Sequence, residues 1–194
     1  MKEYFNCFIG VPLNSEFNSE LIQLQKDLRQ YIPNASFTET NTSHLTLYYL
    51  GKQKQTSLEE VGNFIHEDTD IIKGEKIQIG EQGIFYSIHR ATKTPYVVYL
   101  KVRHSDKLFD LKEHFGSHLE SYNKDDDRNF VPHFTLARLR NTKSQVEYDE
   151  NSEDINLILS KINWTFKLKE IFIYGKPSIN STKTPDILYK VPLI

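Results

Sequence analysis

Apolar positions along the chain follow two periods, one of two residues that marks strands and one of three to four that marks helices. Tyr4 to Ile9 reads as a first strand. Leu21, Leu24 and Leu28 then recur at helical spacing with polar residues between them, and Pro33 after Ile32 is a stop signal, so a helix is expected there. HLTLYYLG (His44 to Gly51) is rich in β-branched and aromatic residues and ends in Gly, as a strand would. A second helix is expected from about Ser57, where Ser57 and Glu60 have the spacing of a capping box and Val61, Phe64 and Ile65 form an apolar face. Lys76 to Tyr86 and Tyr96 to Val102 read as two more strands, joined by a polar loop that contains Pro95.

The second half repeats this order. A helix is expected from about Asp106, with Leu108, Leu111, Phe115, Leu119 and Tyr122 as its stripe and the acidic run Asp125 to Asp127 as the turn that closes it. HFTLARLR (His133 to Arg140) is again a strand, and the polar stretch Asn141 to Asn151 is expected to be a long mobile loop. Trp164 to Tyr174 and Ile187 to Val191 complete the strands. Each half thus holds a helix ahead of a histidine-bearing strand, which predicts an α+β protein of two similar lobes. No flexible linker or low-complexity tract divides them, so residues 1–194 are taken as a single two-lobed domain and a monomer.

Composition narrows the classes. Hydrophobic residues at 38%, with 12 Phe and 11 Tyr, exclude the disordered class. The formal net charge of -2 supplies no global positive field, so any phosphate recognition must come from a local cluster. Cys7 is the only cysteine, which excludes an intramolecular disulfide, a zinc ribbon and a CxxC redox site and fits a reducing, cytoplasmic setting. Neither a signal peptide nor a membrane span is expected.

The chemistry rests on a repeated tetrapeptide. His-x-Thr-Leu occurs at His44 to Leu47 and again at His133 to Leu136. With 7 His, 13 Thr and 19 Leu in 194 residues, about 0.05 such matches arise by chance. Alternation along a strand puts His44 and Thr46 on one face and Leu45 and Leu47 on the other, with His133 and Thr135 set likewise against Phe134 and Leu136. If the two halves pack face to face, two imidazoles meet across one cleft. One neutral ring then takes a proton from an attacking water or hydroxyl while the other, protonated, gives one to the leaving oxygen. Histidine titrates near ~6.5, so both forms coexist at neutral pH. The threonine hydroxyls can donate to non-bridging phosphate oxygens. The near symmetry leaves open which ring is acid and which is base.

HLTLYYLG and FVPHFTLAR, with looser likenesses in FIGVPL, GIFY, PYVVYL and LKEIFIYGKPS, resemble the two-histidine phosphoesterases, and more narrowly the bacterial and archaeal RNA 2′,3′-cyclic phosphodiesterases, historically called 2′-5′ RNA ligases. The resemblance implies a bilobal fold of two pseudo-symmetric lobes of antiparallel sheet, with helices outside and a central cleft, and no cofactor or metal. It also implies opening of 2′,3′-cyclic phosphate ends of RNA to 2′-phosphates, and allows ligase activity in reverse. Carried over, His44 and His133 are the catalytic pair and Thr46 and Thr135 hold the phosphate. Arg138 matches an arginine common after the second motif, although strand parity sets it opposite His133 unless the strand is bulged. Tyr174-Gly175-Lys176 stands where the family commonly has a hydroxyl-bearing strand end. Alternatives with the same motifs are a phosphodiesterase of 2′-5′ oligoadenylates or cyclic oligonucleotide signals, and a non-catalytic RNA-binding module.

Other residues carry weaker signals. Tyr48 shares the parity of His44 and is the ring expected to stack on a base. His114 and His118 have the i, i+4 spacing of a metal pair but no third ligand, so a solvated helix edge is expected. His66, His89 and His104 are expected at the surface. Lys52 to Lys54 and Arg138 with Arg140 form small basic patches.

Overall fold

The structure, a computed structural model, describes residues 3–68, 71–89, 91–122, 129–177 and 184–193. Its elements run β1 (Glu3–Pro12), α1 (Asn18–Leu28), β2 (Ser36–Phe37), β3 (His44–Lys54), α2 (Gln55–Asp68), β4 (Lys76–His89), β5 (Thr92–Val102) and α3 (Asp106–His118). They continue with β6 (His133–Arg138), α4 (Thr142–Glu150), α5 (Ser152–Leu159), β7 (Trp164–Lys167), β8 (Glu170–Pro177) and β9 (Asp186–Pro192). The helices follow the apolar spacing. Leu21, Leu24 and Leu28 form the buried face of α1, and Leu108, Leu111 and Phe115 that of α3, where the Ser105 hydroxyl caps the first turn by accepting from the Leu108 N–H (3.3 Å). Each such fully buried side chain stabilises the fold by ~1.5–3 kcal/mol relative to exposure.

Every strand pairing is antiparallel, and the order across the sheet is β7-β4-β5-β6-β3-β1-β8-β9, with β2 added beside β6. Two four-stranded halves are therefore visible, β3-β1-β8-β9 and β6-β5-β4-β7, each with a motif-bearing strand at its inner edge. They are not the two halves of the sequence: β4 and β5 join the lobe of the second motif, and β8 and β9 return to the lobe of the first. Helices cross over in the same way. α3, which precedes β6, packs on β3, while α1, which precedes β3, packs on α5. Leu45, Leu47, Phe134 and Leu136 point into the core beneath these helices, leaving the opposite face of the central strands open.

Several expected elements differ. Asn141 to Asn151 is not a loop but contains α4, and α5 follows directly. Its polar sequence hides a capping box, in which the Asn141 side chain accepts from the Ser144 N–H (2.8 Å) and the Ser144 hydroxyl accepts from the Asn141 N–H (3.4 Å), with Ser144 and Tyr148 turned inward. Pro95 lies inside β5, paired with Tyr86 at a register shift, where the ladder bond that proline cannot donate is already interrupted. α2 starts at Gln55, so Ser57 sits within its first turn and is not the cap. Trp164 to Tyr174 is two strands that break at Leu168 and Lys169 and belong to different lobes. The expected turn at Asp125 to Asp127 lies outside the described residues. Among the described residues no helix is long and apolar enough to cross a membrane.

One glycine ties the sheet together. A Cβ on Gly10 of β1 would lie 2.8 Å from the Leu45 carbonyl oxygen and 3.3 Å from the Tyr174 ring, and a backbone oxygen cannot swing away. Gly10→Ala is therefore expected to push β1 from β3 and lower stability by ~1–3 kcal/mol, read as a lower urea midpoint at unchanged m-value. An unaltered midpoint would mean that the two strands separate at no cost.

Candidate active site

The two motif strands meet at their middle residues. β3 and β6 pair antiparallel with Leu45 opposite Phe134, the x positions of the two His-x-Thr sequences. One step either way along this register sets His44 beside Thr135 and Thr46 beside His133, on the face away from the core. The four side chains form a square with histidines on one diagonal and threonines on the other. The convergence expected from lobes packed face to face is achieved side by side, within one sheet. All four line a single cleft of about 470 Å³, together with Arg138, Arg140, Lys176 and Tyr49.

A β-bulge follows each motif at the same place. Ile9 and Gly10, adjacent in β1, face Tyr48 and Thr46, so Leu47 is an extra residue; Val98 and Tyr99, adjacent in β5, face Ala137 and Thr135, so Leu136 is an extra residue. Each bulge puts two successive residues into the core and reverses the parity beyond it. Arg138 is thereby returned to the face of His133, the contact that parity alone denied it. Tyr48, expected to stack on a base, is instead turned inward at 2% exposure, with the Lys112 ammonium 4.5 Å from its ring centre, and Tyr49 takes the cleft position. Both reversals come from one inserted residue, and strict alternation could not have located it.

Each imidazole is oriented by its own strand. His44 Nδ1 lies 2.6 Å from the Thr42 carbonyl and His133 Nδ1 lies 2.6 Å from the Val131 carbonyl, two residues upstream in each case. A carbonyl only accepts, so in both rings Nδ1 carries the hydrogen and Nε2 is the nitrogen left to a ligand. Aromatic pairs back the two rings from the next two strands of each lobe. Phe8 and Tyr174 stand 4.6 and 4.9 Å from His44, and Phe85 and Tyr99 stand 4.9 and 5.0 Å from His133, measured between ring centres. Within each pair the aromatic rings stack on one another, at 5.0 and 4.3 Å. Aromatics in the flanking strands were the only local signal of this packing.

That packing sets the charge. Burial pushes the His44 pKa down from its ordinary 6.5 to about 4, against the upward pull of the Thr42 carbonyl, and the positive fields of His133 and Arg138 add to the depression. The His133 pKa is lowered too, chiefly by burial and further by Arg138, again against the pull of its carbonyl partner. A guanidinium near both rings marks the cleft as a place for an anion. Burial also pushes the Tyr174 hydroxyl pKa upward, so that ring stays neutral.

The remaining histidines lie elsewhere. His114 and His118, 4.3 Å apart, stack on Phe64 along α3, while His104 meets the Asp106 carboxylate at 2.7 Å on the surface. Among the described residues no three His, Cys, Asp or Glu side chains form a metal-binding group. Lys176, near the end of β8, lines the cleft, as does Arg140.

Comparison with known proteins gives a consistent result. Residues 5–176 match the family model described as the AKAP7 2′5′ RNA ligase-like domain. The RNA 2′,3′-cyclic phosphodiesterase of Thermotoga maritima is 23% identical over 133 residues, 69% of each chain. That of Methanothermobacter thermautotrophicus is 21% identical over 139 residues, 72% of this chain and 73% of its own. Among solved structures, a Thermus thermophilus protein superposes with a TM-score of 0.70 at 18% identity over 97% of each chain. Escherichia coli LigT complexed with 3′-AMP gives 0.63 at 16% identity over 97% of this chain and 98% of its own.

The histidine environment has a direct consequence. At pH 7 both rings are expected to show a protonated Nδ1 and a bare Nε2 in nitrogen NMR, with His44 taking up a proton only near pH 4. A depressed pKa means that the unfolded chain binds more protons between pH 6.5 and 4, so stability is full above about 6.5 and falls through that window. His44 alone accounts for about 3 kcal/mol of the loss. Titration of His44 at its ordinary value, with no acid loss, would contradict the buried arrangement.

Proposed function

The chain belongs to the AKAP7 2′5′ RNA ligase-like family and is a two-histidine phosphoesterase, and from that membership we propose that it opens 2′,3′-cyclic phosphate ends of RNA to 2′-phosphates without a metal. The observation that carries this reading is the square of His44, Thr46, His133 and Thr135 in one cleft, with each Nε2 left available by a carbonyl-bound Nδ1. The names of the Thermotoga and Methanothermobacter relatives support the substrate class.

The chemistry divides among the four side chains. With the cyclic phosphate between the histidines, one Nε2 accepts a proton from water as its oxygen attacks phosphorus. The other, as imidazolium, protonates O3′ as the P–O3′ bond breaks, leaving the phosphate on O2′. The negative charge that develops on the non-bridging oxygens is met by the Thr46 and Thr135 hydroxyls and by Arg138. Both rings are held by backbone carbonyls, so neither must be reoriented during the reaction. Replacing water by a ribose hydroxyl uses the same proton transfers and gives the ligase direction.

Turnover of an oligonucleotide ending in a 2′,3′-cyclic phosphate is expected to persist in chelator, and His44→Ala or His133→Ala should each lower kcat/KM by ~10²–10⁴. Full activity in both variants would end the proposal. Exclusive cleavage of 2′-5′ oligoadenylates would reassign the substrate, and tight RNA binding with no product would point to a binding module. Thr46→Val and Thr135→Val should cost up to ~10²–10³ in kcat, with the loss in kcat exceeding any rise in KM.

The pH profile follows from the depressed rings. The working form of the free enzyme carries one proton on the pair, and both pKa values lie below 6.5. The kcat/KM optimum is therefore expected on the acid side of 6.5, with a fall at neutral and higher pH as the last shared proton is lost. An optimum above about pH 8 would be incompatible with this pair as acid and base.

A further inference from the structure

Resting on the phosphodiesterase reading, we propose that Asn6 and Lys176 form a subsite for a second phosphate group of the substrate, at the end of the cleft opposite Arg138. Asn6 is held at a φ of 51°, in the left-handed region. Among the described residues one other non-glycine has a positive φ, Ala91, and it sits in the turn between β4 and β5. Asn6 instead lies within β1 and lines the cleft.

A bulge puts it there. Between Tyr4 and Cys7, β1 has two residues where β3 has one, Lys52, and between Phe5 and Phe8 it has two where β8 has one, Gly175. Asn6 is common to both intervals, the residue that is extra against both neighbouring strands. Tyr4 and Cys7 pack into the core on either side, while Phe5 and Asn6 are both exposed. Glycine takes the left-handed backbone without steric cost, and asparagine at less cost than other side chains. The bulge therefore accounts for the conformation and not for the carboxamide, which forms none of the hydrogen bonds found among the described residues.

Lys176 stands beside it. On β8, Tyr174 lies opposite Phe8 and stacks on it at 5.0 Å; Lys176, two residues further on the same face, lies opposite Phe5, the neighbour of Asn6, and lines the cleft. A carboxamide and an ammonium thus follow the aromatic row that backs His44, and both can donate to phosphate oxygens. The guanidinium whose field depresses both imidazoles is that of Arg138, which places it to meet the reacting phosphate, and it lies at the other end. Glu39, the one carboxylate among the described lining residues, is at that other end too, just after β2, which pairs with Arg138. A second anion at Asn6 and Lys176 meets two donors and no carboxylate of the lining. The substrate is then one that carries a phosphate besides the reacting one, either on the 5′ carbon of the same nucleoside or in a strand joined to it through a 2′-5′ linkage; both sources present the same oxygens.

Dissociation constants distinguish the two sources. They are measured for adenosine 2′-monophosphate with and without a 5′-phosphate, and for a 2′-5′-linked diadenylate with and without a terminal 3′-phosphate, on the wild type, Asn6→Gly, Asn6→Asp and Lys176→Met. The added phosphate is expected to tighten wild-type binding about tenfold in at least one pair, which identifies its source. Asn6→Gly keeps the left-handed backbone and should melt no lower than the wild type, yet it is expected to cut that gain to about threefold or less, as is Lys176→Met. Asn6→Asp, of the same shape but negative, is expected to abolish it. A gain untouched by Asn6→Gly would leave the asparagine a backbone role alone and overturn the subsite, as would a wild type that gains nothing from either phosphate, or variants that weaken both members of a pair equally. Should the wild type turn over no cyclic phosphate, the phosphodiesterase reading fails, and the binding ratios still decide whether a second phosphate is held at Asn6 and Lys176.

Discussion

The antiparallel contact of Leu45 with Phe134 is the constraint on which the site depends. Both are fully buried, so the register of β3 against β6 is held by core packing on the face opposite the chemistry. A slip of one residue would turn a histidine and a threonine inward and two large apolar groups outward, and the core cannot accommodate that exchange. The square of two histidines and two threonines is therefore a by-product of hydrophobic register. Four polar side chains on one face are positioned by two apolar ones buried on the other.

A second constraint is electrostatic. The stacked pairs Phe8 with Tyr174 and Phe85 with Tyr99 remove water from both imidazoles and depress their pKa values, while the upstream carbonyls pull the other way and fix the tautomer. Among the described residues no carboxylate forms an ion pair with Arg138. Arg138, Arg140 and Lys176 outnumber the one carboxylate in the lining, Glu39, so the cleft has local positive character inside a protein whose formal net charge is -2. An anion placed among these groups would favour protonation of a nearby ring, opposing the depression that burial imposes.

The sequence made part of this legible. The repeat of His-x-Thr-Leu, with the parity of a strand, was enough to place the histidines and threonines on one face and the leucines in the core, because those relations depend only on local geometry. Residues beyond the motifs were misplaced for a physical reason. A bulge is defined by how many residues the partner strand offers, and β1 and β5 are distant in sequence from the strands they distort, so Tyr48 was assigned to the cleft in place of Tyr49. The two lobes were recognised as similar, but their exchange of β4, β5, β8 and β9 is a matter of long-range pairing that no local pattern encodes. α4 escaped because its stability comes from the Asn141 cap and two inward residues, while its composition is that of a loop.

The paired bulges also explain how a site built from two similar strands acquires two different ends. His44 with Thr46 and His133 with Thr135 are equivalent under the pseudo-two-fold, as are Leu47 and Leu136. Symmetry ends five residues after each histidine, where the bulge presents Tyr49 in one strand and Arg138 in the other. Because the strands run antiparallel, Tyr49 lies toward His133, where it also borders a smaller cavity with Phe85 and Phe130, and Arg138 lies toward His44. The equivalent positions supply matched histidines and threonines, and the first cleft-facing position after each bulge supplies the difference, an aromatic ring at one end and a guanidinium at the other.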